Sequence, residues 1–146
     1  MTTIHDLTAA DRDEWLPLWR AYLEFYEATL PEAVTESTFE SLVAGRELHG
    51  ALARDADGRA VGLVHWLAHP ATWTTTTYCY LEDLFVSPDA RGTGAGRALI
   101  EHARAWAEAS GCSKLYWLTH ETNTTARALY DRVAKHTGFV HYEIRL

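Results

Sequence analysis

The segment Arg91-Gly-Thr-Gly-Ala-Gly-Arg97 is the part of the sequence whose residue types most directly indicate chemistry. It follows an extended apolar run that ends at Val86, and Pro88 predicts that this strand does not continue. The three glycines permit positive φ angles and leave backbone N–H groups unscreened by side chains. At the mouth of a helix predicted to begin near Arg97, such donors favour an anionic oxygen, for example of a phosphate or pyrophosphate.

Three known phosphate-binding loops can be compared with this segment. A P-loop requires Lys followed by Ser or Thr, and that dipeptide is absent from the sequence. The dinucleotide fingerprint requires GxGxxG behind a first strand, whereas here the spacing is GxGxG after about four predicted strands. The acyl-CoA loop pattern, [Q/R]xxGx[G/A], is satisfied by Arg91, Gly94 and Gly96. A tight strand-to-helix turn that binds nothing stays the alternative.

Composition limits the classes of protein and of partner. The chain has 146 residues, 47% of them hydrophobic, a length and composition typical of one globular domain. Its net charge of −7 argues against nucleic acid and anionic membranes as partners and favours a cationic small molecule. No apolar run approaches the length of a membrane helix, and the polar, acidic N-terminus does not resemble a secretory signal.

The cysteines and histidines indicate neither a disulfide nor a metal. Cys79 and Cys112 lie in apolar surroundings without metal-type spacing, so both are predicted to be reduced thiols in the core. The eight histidines form no HExxH motif and no His/Cys cluster, so no metal site is predicted. A cytoplasmic protein is the expected result.

The hydrophobic periods predict a single α/β domain over residues 1–146. A strand at Thr3–Leu7 precedes a helix that ends before Pro31, and a shorter helix follows at Glu36–Val43. The later predicted elements are, in order, a hairpin of HGALAR and AVGLVHWLA, the strand YCYLEDLFV, the helix AGRALIEHARAWAEAS, the strand KLYWLT, the helix NTTARALYDRVAKH and the strand FVHYEIRL.

Two segments, LEDLFVSPDARGTGAGRALI and WLTHETNTTARALYDRVAKHTGF, together resemble the central motifs of the GCN5-related N-acetyltransferase (GNAT) superfamily. Within it, YLEDLFVSPDARGTG is similar to the branch of polyamine, thialysine and yeast-type histone or D-amino-acid acetyltransferases. The resemblance implies a mixed sheet of about six strands, flanked by four helices, with two parallel strands that splay apart to hold acyl-CoA.

The same resemblance implies how acetyl-CoA is bound. Backbone groups of Leu84, Phe85 and Val86 would pair with the pantetheine arm, and Asn123 would hydrogen-bond it. The pyrophosphate would be held by main-chain N–H groups of the loop residues, which are Arg91, Gly92, Thr93, Gly94, Ala95, Gly96 and Arg97. Tyr130, at the end of the pattern NxxAxxLY, would direct its hydroxyl at the thioester sulfur.

Acyl transfer to an amine requires a neutral amine and a protonated leaving thiolate. Glu82 and Asp83 precede the part of the strand that would bind the cofactor, and strand alternation predicts that only one of them faces the acceptor. We expect Glu82 to face the acceptor, either as a base that acts through water or as a group that binds the amine's charge. The alternative is that its carboxylate forms an ion pair at the surface. Tyr130 is the expected general acid, with a core tyrosine as the alternative.

The acceptor is expected to contact the first helix, the loop after it and the segment ATWTTTT. Polar and aromatic residues there that could hold a cation are Glu24, Tyr26, Glu27, Glu32 and Trp73. The expected function is acetylation of a primary amine of a small cationic molecule, a polyamine or an amino acid, by direct attack in a ternary complex. A protein or peptide acetyltransferase and a non-catalytic acyl-CoA-binding module are the alternatives. The short C-terminal strand suggests a homodimer.

Overall fold

One five-stranded mixed sheet organises the first part of the chain. The computed structural model describes all residues, 1–146. The strands are β1 (Thr3–Asp6), β2 (His49–Arg54), β3 (Ala60–Pro70), β4 (Thr77–Val86) and β5 (Lys114–Tyr116). They lie in the order β1-β2-β3-β4-β5, antiparallel except for the parallel pair β4 and β5. The fold is therefore α/β with a mixed sheet, as the sequence predicted.

Helices cover both faces of this sheet. They are α1 (Arg12–Phe25), α2 (Glu32–Ala44) and α3 (Ala95–Ala109), and a fourth helix, α4 (Thr124–Val133), follows β5. Trp15 and Trp19 of α1 pack with Phe39 of α2 and Phe85 of β4 in one core cluster. On the opposite face, Trp66 of β3 packs against Trp106 of α3. Burial of these aromatic faces is the main stabilising contribution on both sides.

The chain divides into two compact units, Met1–Tyr116 and Trp117–Leu146. The first holds the sheet with α1, α2 and α3. The second holds α4 and the residues on either side of it, with the rings of Trp117 and Tyr130 in edge contact at 5.4 Å. No helix in the structure is both long and apolar enough to cross a membrane.

The two parallel strands pair over a short distance only. Tyr78–Tyr80 of β4 lies beside Lys114–Tyr116 of β5, and the ladder then stops. From Leu81 to Val86, β4 is hydrogen-bonded to β3 but has no strand on its other edge. Unpaired backbone groups on a strand edge are available to an extended ligand. The predicted strand KLYWLT is thus shorter than expected, and its early end leaves that edge open.

The prediction of about six strands is wrong by one, because FVHYEIRL forms no strand in the structure. Its apolar side chains are exposed; Tyr142 and Ile144, for example, are 89% and 87% accessible. The alternating pattern is typical of a strand, but a strand needs a neighbour to satisfy its N–H and C=O groups. No other segment of the chain pairs with it here.

Two predicted helix boundaries also differ. The second helix was expected at Glu36–Val43 but begins earlier, at Glu32, directly after Pro31. Pro31 is the residue before the helix, a place where its fixed φ angle does not interrupt helical hydrogen bonds. The third helix begins at Ala95, not near Arg97. Gly96 therefore lies inside α3, and only the other two glycines of the loop have positive φ angles, 79° at Gly92 and 90° at Gly94.

Candidate active site

A β-bulge in β4 decides where its two acidic residues point. His65 pairs with Asp83 and Trp66 pairs with Leu81, so Glu82 is an extra residue without a partner on β3. In a regular strand without a bulge, Asp83 would share a face with Leu81, two positions before it. With the bulge, Asp83 lies on the face of His65, which is the face covered by α1.

Both acids lie among tyrosines on that face, which corrects the prediction that strand alternation admits only one of them. Tyr22 donates a hydrogen bond to Asp83 and is close enough to Glu82 to feel its charge. We call this group the acidic tyrosine cluster, and its members are Tyr22, Tyr26, Tyr80, Glu82, Asp83 and Tyr116. The rings of Tyr80 and Tyr116 are 4.9 Å apart, and those of Tyr22 and Tyr26 are 5.0 Å apart.

The electrostatics of the cluster favour protonated groups. Burial, and then the charge of Asp83, raise the pKa of Glu82. Burial and the neighbouring charge of Glu82 raise the pKa of Tyr80 to about 12. Burial followed by Asp83 raises the pKa of Tyr26 as well. Two carboxylates so close together repel each other, and a positively charged guest would relieve that repulsion.

The loop before α3 leaves backbone donors without a partner in the helix. Gly94 is the residue before the helix, no side chain caps the helix there, and the first helical hydrogen bond runs from Ala98 N to Gly94 O at 3.0 Å. The N–H groups of Ala95, Gly96 and Arg97 therefore have no partner within the helix. A Cβ at Gly92 or Gly94 would meet no atom within 4 Å, so the space above these amides is open. The loop thus fits a pyrophosphate.

The end of β4 and the loop are connected by short contacts. Phe85 is buried in the core, whereas Leu84 and Val86 are partly exposed. Arg91 is exposed and its Nε donates to the carbonyl of Val86 at 3.3 Å. The hydroxyl of Thr93 donates to the carbonyl of Ala90 at 2.5 Å. These bonds hold the loop beside the unpaired edge of β4, so a pantetheine arm and a pyrophosphate could be bound in sequence.

The remaining predicted cofactor and acid residues lie in the second unit. Asn123 precedes α4, and its Oδ1 accepts a bond from Ala126 N at 3.4 Å while its Nδ2 donates to Thr119 Oγ1. The side chain therefore caps the helix, a structural role that the sequence motif did not indicate. Tyr130 is partly buried on α4, with its ring against Trp117.

The residues proposed for acceptor binding are only partly brought together. Tyr26 belongs to the acidic tyrosine cluster, through its interaction with Asp83. Glu24 and Glu27 are exposed near the end of α1, and Glu27 has a left-handed backbone with φ of 52°. Glu32 begins α2 and lies 3.7 Å from Arg20, and Trp73 is 86% exposed in its loop.

Several residues of the cluster were missed from the sequence. Tyr22 is one helical turn from Tyr26, Tyr80 is two residues before Glu82, and Tyr116 ends β5. The spacing of Tyr22 and Tyr26 was a usable signal, because residues four apart share a helix face. His65 was also missed, and both of its ring nitrogens have hydrogen-bond partners.

The short parallel pair, the open edge of β4 and the glycine loop before α3 agree with the fold of an acyl-CoA-dependent N-acetyltransferase. The model of the acetyltransferase (GNAT) family matches residues 13–134. The chain belongs to this family, and its acyl donor is acetyl-CoA.

Individual relatives support the same assignment. The chain is 36% identical to the D-amino-acid N-acetyltransferase HPA3 of Saccharomyces cerevisiae over 91% of this chain and 84% of that protein. It is similar to the solved structure of a ribosomal-protein-alanine N-acetyltransferase from Brucella melitensis, with 27% identity, full coverage of both chains and a TM-score of 0.82. An aminoglycoside N-acetyltransferase, AAC(6')-Iy in complex with CoA, shares the fold at 19% identity, with a TM-score of 0.85 over 99% of this chain and 95% of that one. The protein is therefore an N-acetyltransferase that acts on an amine.

Proposed function

We propose that the acceptor is a small molecule with a cationic primary amine, an amino acid or a polyamine, bound at the acidic tyrosine cluster. The observation that carries this proposal is the bulge, because it brings Glu82 and Asp83 to one face. Two carboxylates lined by tyrosine rings attract an ammonium group through charge and through cation–π contacts. The name of the 36% identical yeast relative, a D-amino-acid N-acetyltransferase, makes amino acids the first acceptors to test.

The chemistry follows from the demands of acyl transfer. Acetyl-CoA supplies an activated acyl thioester, and the amine attacks it directly in a ternary complex. Glu82 accepts the proton of the ammonium group, directly or through water, since its raised pKa suits a proton acceptor better than that of an ordinary glutamate does. Asp83 binds the charge of the acceptor. Loop amides from Arg91 to Arg97 bind the diphosphate, and Tyr130 supplies a proton to the departing sulfur.

The acceptor class can be tested by following thiol release from acetyl-CoA with a panel of amines. D-amino acids, L-amino acids, polyamines and a basic peptide with an acetylatable lysine are compared at equal concentration. We expect turnover with the small amines, and an apparent affinity that falls as salt is added, because charge attraction is screened. Turnover with the peptide alone would contradict the proposal.

A protein acceptor is the second candidate, and one observation favours it. The structurally similar Brucella protein, at 27% identity, is named as a ribosomal-protein-alanine N-acetyltransferase. An N-terminal peptide ending in alanine is therefore included in the same panel. If it turned over faster than every small amine, the acceptor would be a protein N-terminus.

Replacing Tyr130 by phenylalanine tests its proposed role as general acid. The ring contact with Trp117 is retained in this variant, so only the hydroxyl is lost. We expect kcat to fall about 10²-fold with little change in KM for acetyl-CoA, because general acid catalysis contributes roughly that much. Tyr78→Phe, at a tyrosine outside the proposed catalytic and dimer residues, serves as control, since its ring contacts with His69 and Tyr116 are retained. An unchanged rate of thiol release in Tyr130→Phe would remove this residue from the mechanism.

The exposed C-terminal segment supports a homodimer as the working form. In residues 139–146, exposed apolar side chains alternate with polar ones, which is the pattern of a half-buried strand. We expect the protein to sediment as a dimer and Ile144→Glu to sediment as a monomer. Val34→Glu, at an exposed apolar residue of α2, should leave the dimer intact. A monomeric wild-type protein would contradict the proposal.

Two further proposals rest on the sequence. Cys79 is a free, buried thiol whose pKa is raised to about 12 by burial and by Cys112, which is also free. Unpaired thiols of this kind support the proposal that the protein is located in the reducing cytoplasm. A single catalytic domain over residues 1–146 is likewise a proposal from the sequence, and the family match over residues 13–134 supports it for most of the chain.

A further inference from the structure

A buried chain of hydrogen bonds connects α1 to Asp83. The indole Nε1 of Trp15 donates to Nε2 of His65 at 3.0 Å, and Nδ1 of His65 lies 2.9 Å from Oδ2 of Asp83. Trp15 is fully buried and His65 is only 3% exposed. An indole nitrogen can donate a hydrogen bond but cannot accept one. Nε2 of His65 must therefore be the acceptor, which places the ring proton on Nδ1 and leaves the imidazole neutral.

The packing around His65 prevents the ring from turning over. Its centroid lies 5.2 Å from that of Trp19, and Trp15 is stacked on Trp19 at 5.7 Å. On the β2 side, a Cβ on Gly50 would come within 3.2 Å of His65 Cδ2 and within 2.6 Å of Leu7. The ring fills the space that the missing side chain of Gly50 leaves. His65 is thus held in one orientation from both sides.

The groups that face His65 and Asp83 determine the charge at this point. Titratable neighbours are Glu82 on β4, Tyr22 on α1 and Tyr26 directly after α1. On β2 the neighbour of His65 is Gly50, and on α2 the nearest residue is Phe39, which packs against Trp15. Neither residue is titratable. Asp83 receives hydrogen bonds from neutral His65 and from the hydroxyl of Tyr22. Neutral donors orient a carboxylate without cancelling its charge, whereas an imidazolium would form an ion pair with it.

We propose that Trp15 and His65 are positioning residues for the acceptor amine. Trp15 keeps the proton of His65 on Nδ1, and His65 then holds Asp83 as an oriented, uncompensated anion that binds the ammonium group, which leaves proton acceptance to Glu82. Protonation of Nε2 would bring two donors face to face at 3.0 Å, so Trp15 opposes the charged imidazole. This inference rests on the proposed function, because it assigns Asp83 to acceptor binding.

The tautomer can be measured without any substitution or substrate. In ¹⁵N-labelled full-length protein, long-range ¹H–¹⁵N correlations distinguish the two neutral tautomers of histidine from the charged ring. We expect His65 to be neutral with its proton on Nδ1 between about pH 6 and pH 8, a range that spans the usual titration of histidine. A proton on Nε2, or a charged ring within this range, would overturn the proposal.

A pair of matched variants then tests the effect on acceptor binding. Trp15→Phe removes the indole donor, whereas Trp19→Phe makes the same change at a buried tryptophan whose Nε1 has no hydrogen-bond partner. The test measures the KM for D-lysine as acceptor at two pH values. Near pH 8 the KM of Trp15→Phe should be close to that of the wild type. Near pH 6, where an unrestrained histidine is charged, it should be about 5-fold or more above the wild-type value. Trp19→Phe should show no such trend, and KM for acetyl-CoA should not change in either variant.

The outcomes separate this inference from the proposed function. Equal pH trends in both variants would mean that Trp15 acts only through packing, and the inference would fail while the acceptor assignment stood. Absence of turnover with D-lysine and every other small amine would overturn the proposed function and, with it, the role of Asp83. In that case the tautomer measurement would still show whether Trp15 fixes the proton of His65.

Discussion

Replacing Glu82 by glutamine is expected to lower kcat about 10²- to 10³-fold at neutral pH, the usual contribution of a positioned general base. The substitution keeps the size of the side chain and removes its ability to take the proton of the ammonium group. Thiol release from acetyl-CoA with a D-amino acid measures the effect. If Glu82 instead only attracted the acceptor, KM would rise and kcat at saturation would stay close to that of the wild type.

The pH dependence of wild type and variant should also differ. In the proposed mechanism Glu82 acts when deprotonated, and burial with Asp83 raises its pKa, so the acidic limb of kcat/KM should lie above the ordinary range of a glutamate. The pH profile of the activity that remains in Glu82→Gln should lack this acidic limb. Glu40→Gln, at an exposed residue of α2, is the matched control and should behave as the wild type does.

The same substitution should stabilise the folded protein slightly. A carboxyl group whose pKa is raised on folding contributes stability below its unfolded pKa and loses that contribution as the pH rises through its folded pKa. At pH 7 the glutamine variant should therefore have the higher Tm, by about 1 °C, because solvent screening limits the effect to a few tenths of a kcal/mol. Below about pH 4 the difference should vanish. A lower Tm at pH 7 would contradict the described environment of Glu82.

Substitution of Gly94 by alanine is expected to weaken acetyl-CoA binding by about 10- to 100-fold, as measured by calorimetry, which corresponds to roughly 1.4–2.8 kcal/mol. The φ angle of 90° is unfavourable for any residue with a Cβ, at a cost of about 1–2 kcal/mol. Relief of this strain would turn the amides of Ala95 and Gly96 away from their present directions. The added methyl group would also occupy the open space in which the diphosphate must approach these amides.

Gly58→Ala provides the matched control for backbone strain. Gly58 lies in the hairpin turn with φ of 80°, and a Cβ there would likewise meet no atom within 4 Å. Both variants should lose about 1 kcal/mol of unfolding free energy, but only Gly94→Ala should lose affinity for acetyl-CoA. Equal affinities of the two variants would show that the loop before α3 does not bind the cofactor.

Most of the fold was predictable because its signals are local. The turn from Asp55 to Gly58 carries its own chemistry: Asp55 Oδ1 accepts bonds from the backbone N of Asp57 and of Arg59. Gly45 follows α2 with φ of 63°, and a glycine in this conformation is a local signal for the end of a helix. The strand FVHYEIRL has an equally clear period of two, yet it does not form in the structure. Pairing depends on a partner, which a local pattern does not specify.

The acidic site was predictable only in part, because the bulge leaves no mark in the sequence. Glu82 and Asp83 stand in an ordinary apolar run, and alternation alone assigned them to opposite faces. Register against β3 is a tertiary property, decided by how Trp66 and His65 pack under α3 and α1. The contact of Tyr80 with Tyr116 depends on the register of β4 against β5, which is also a tertiary property, and it was missed for a similar reason.

The extra residue in β4 has a consequence for enzyme engineering. A regular strand of the same sequence would not hold both carboxylates on one face, because Glu82 would then pair with His65 and Asp83 would turn towards the side of Trp66 and α3, where a charge has no place among apolar side chains. Grafting this acidic pair onto a related scaffold therefore means copying the bulge as well as the two acids. A recipient strand without the bulge would carry the second acid on the wrong side of the sheet.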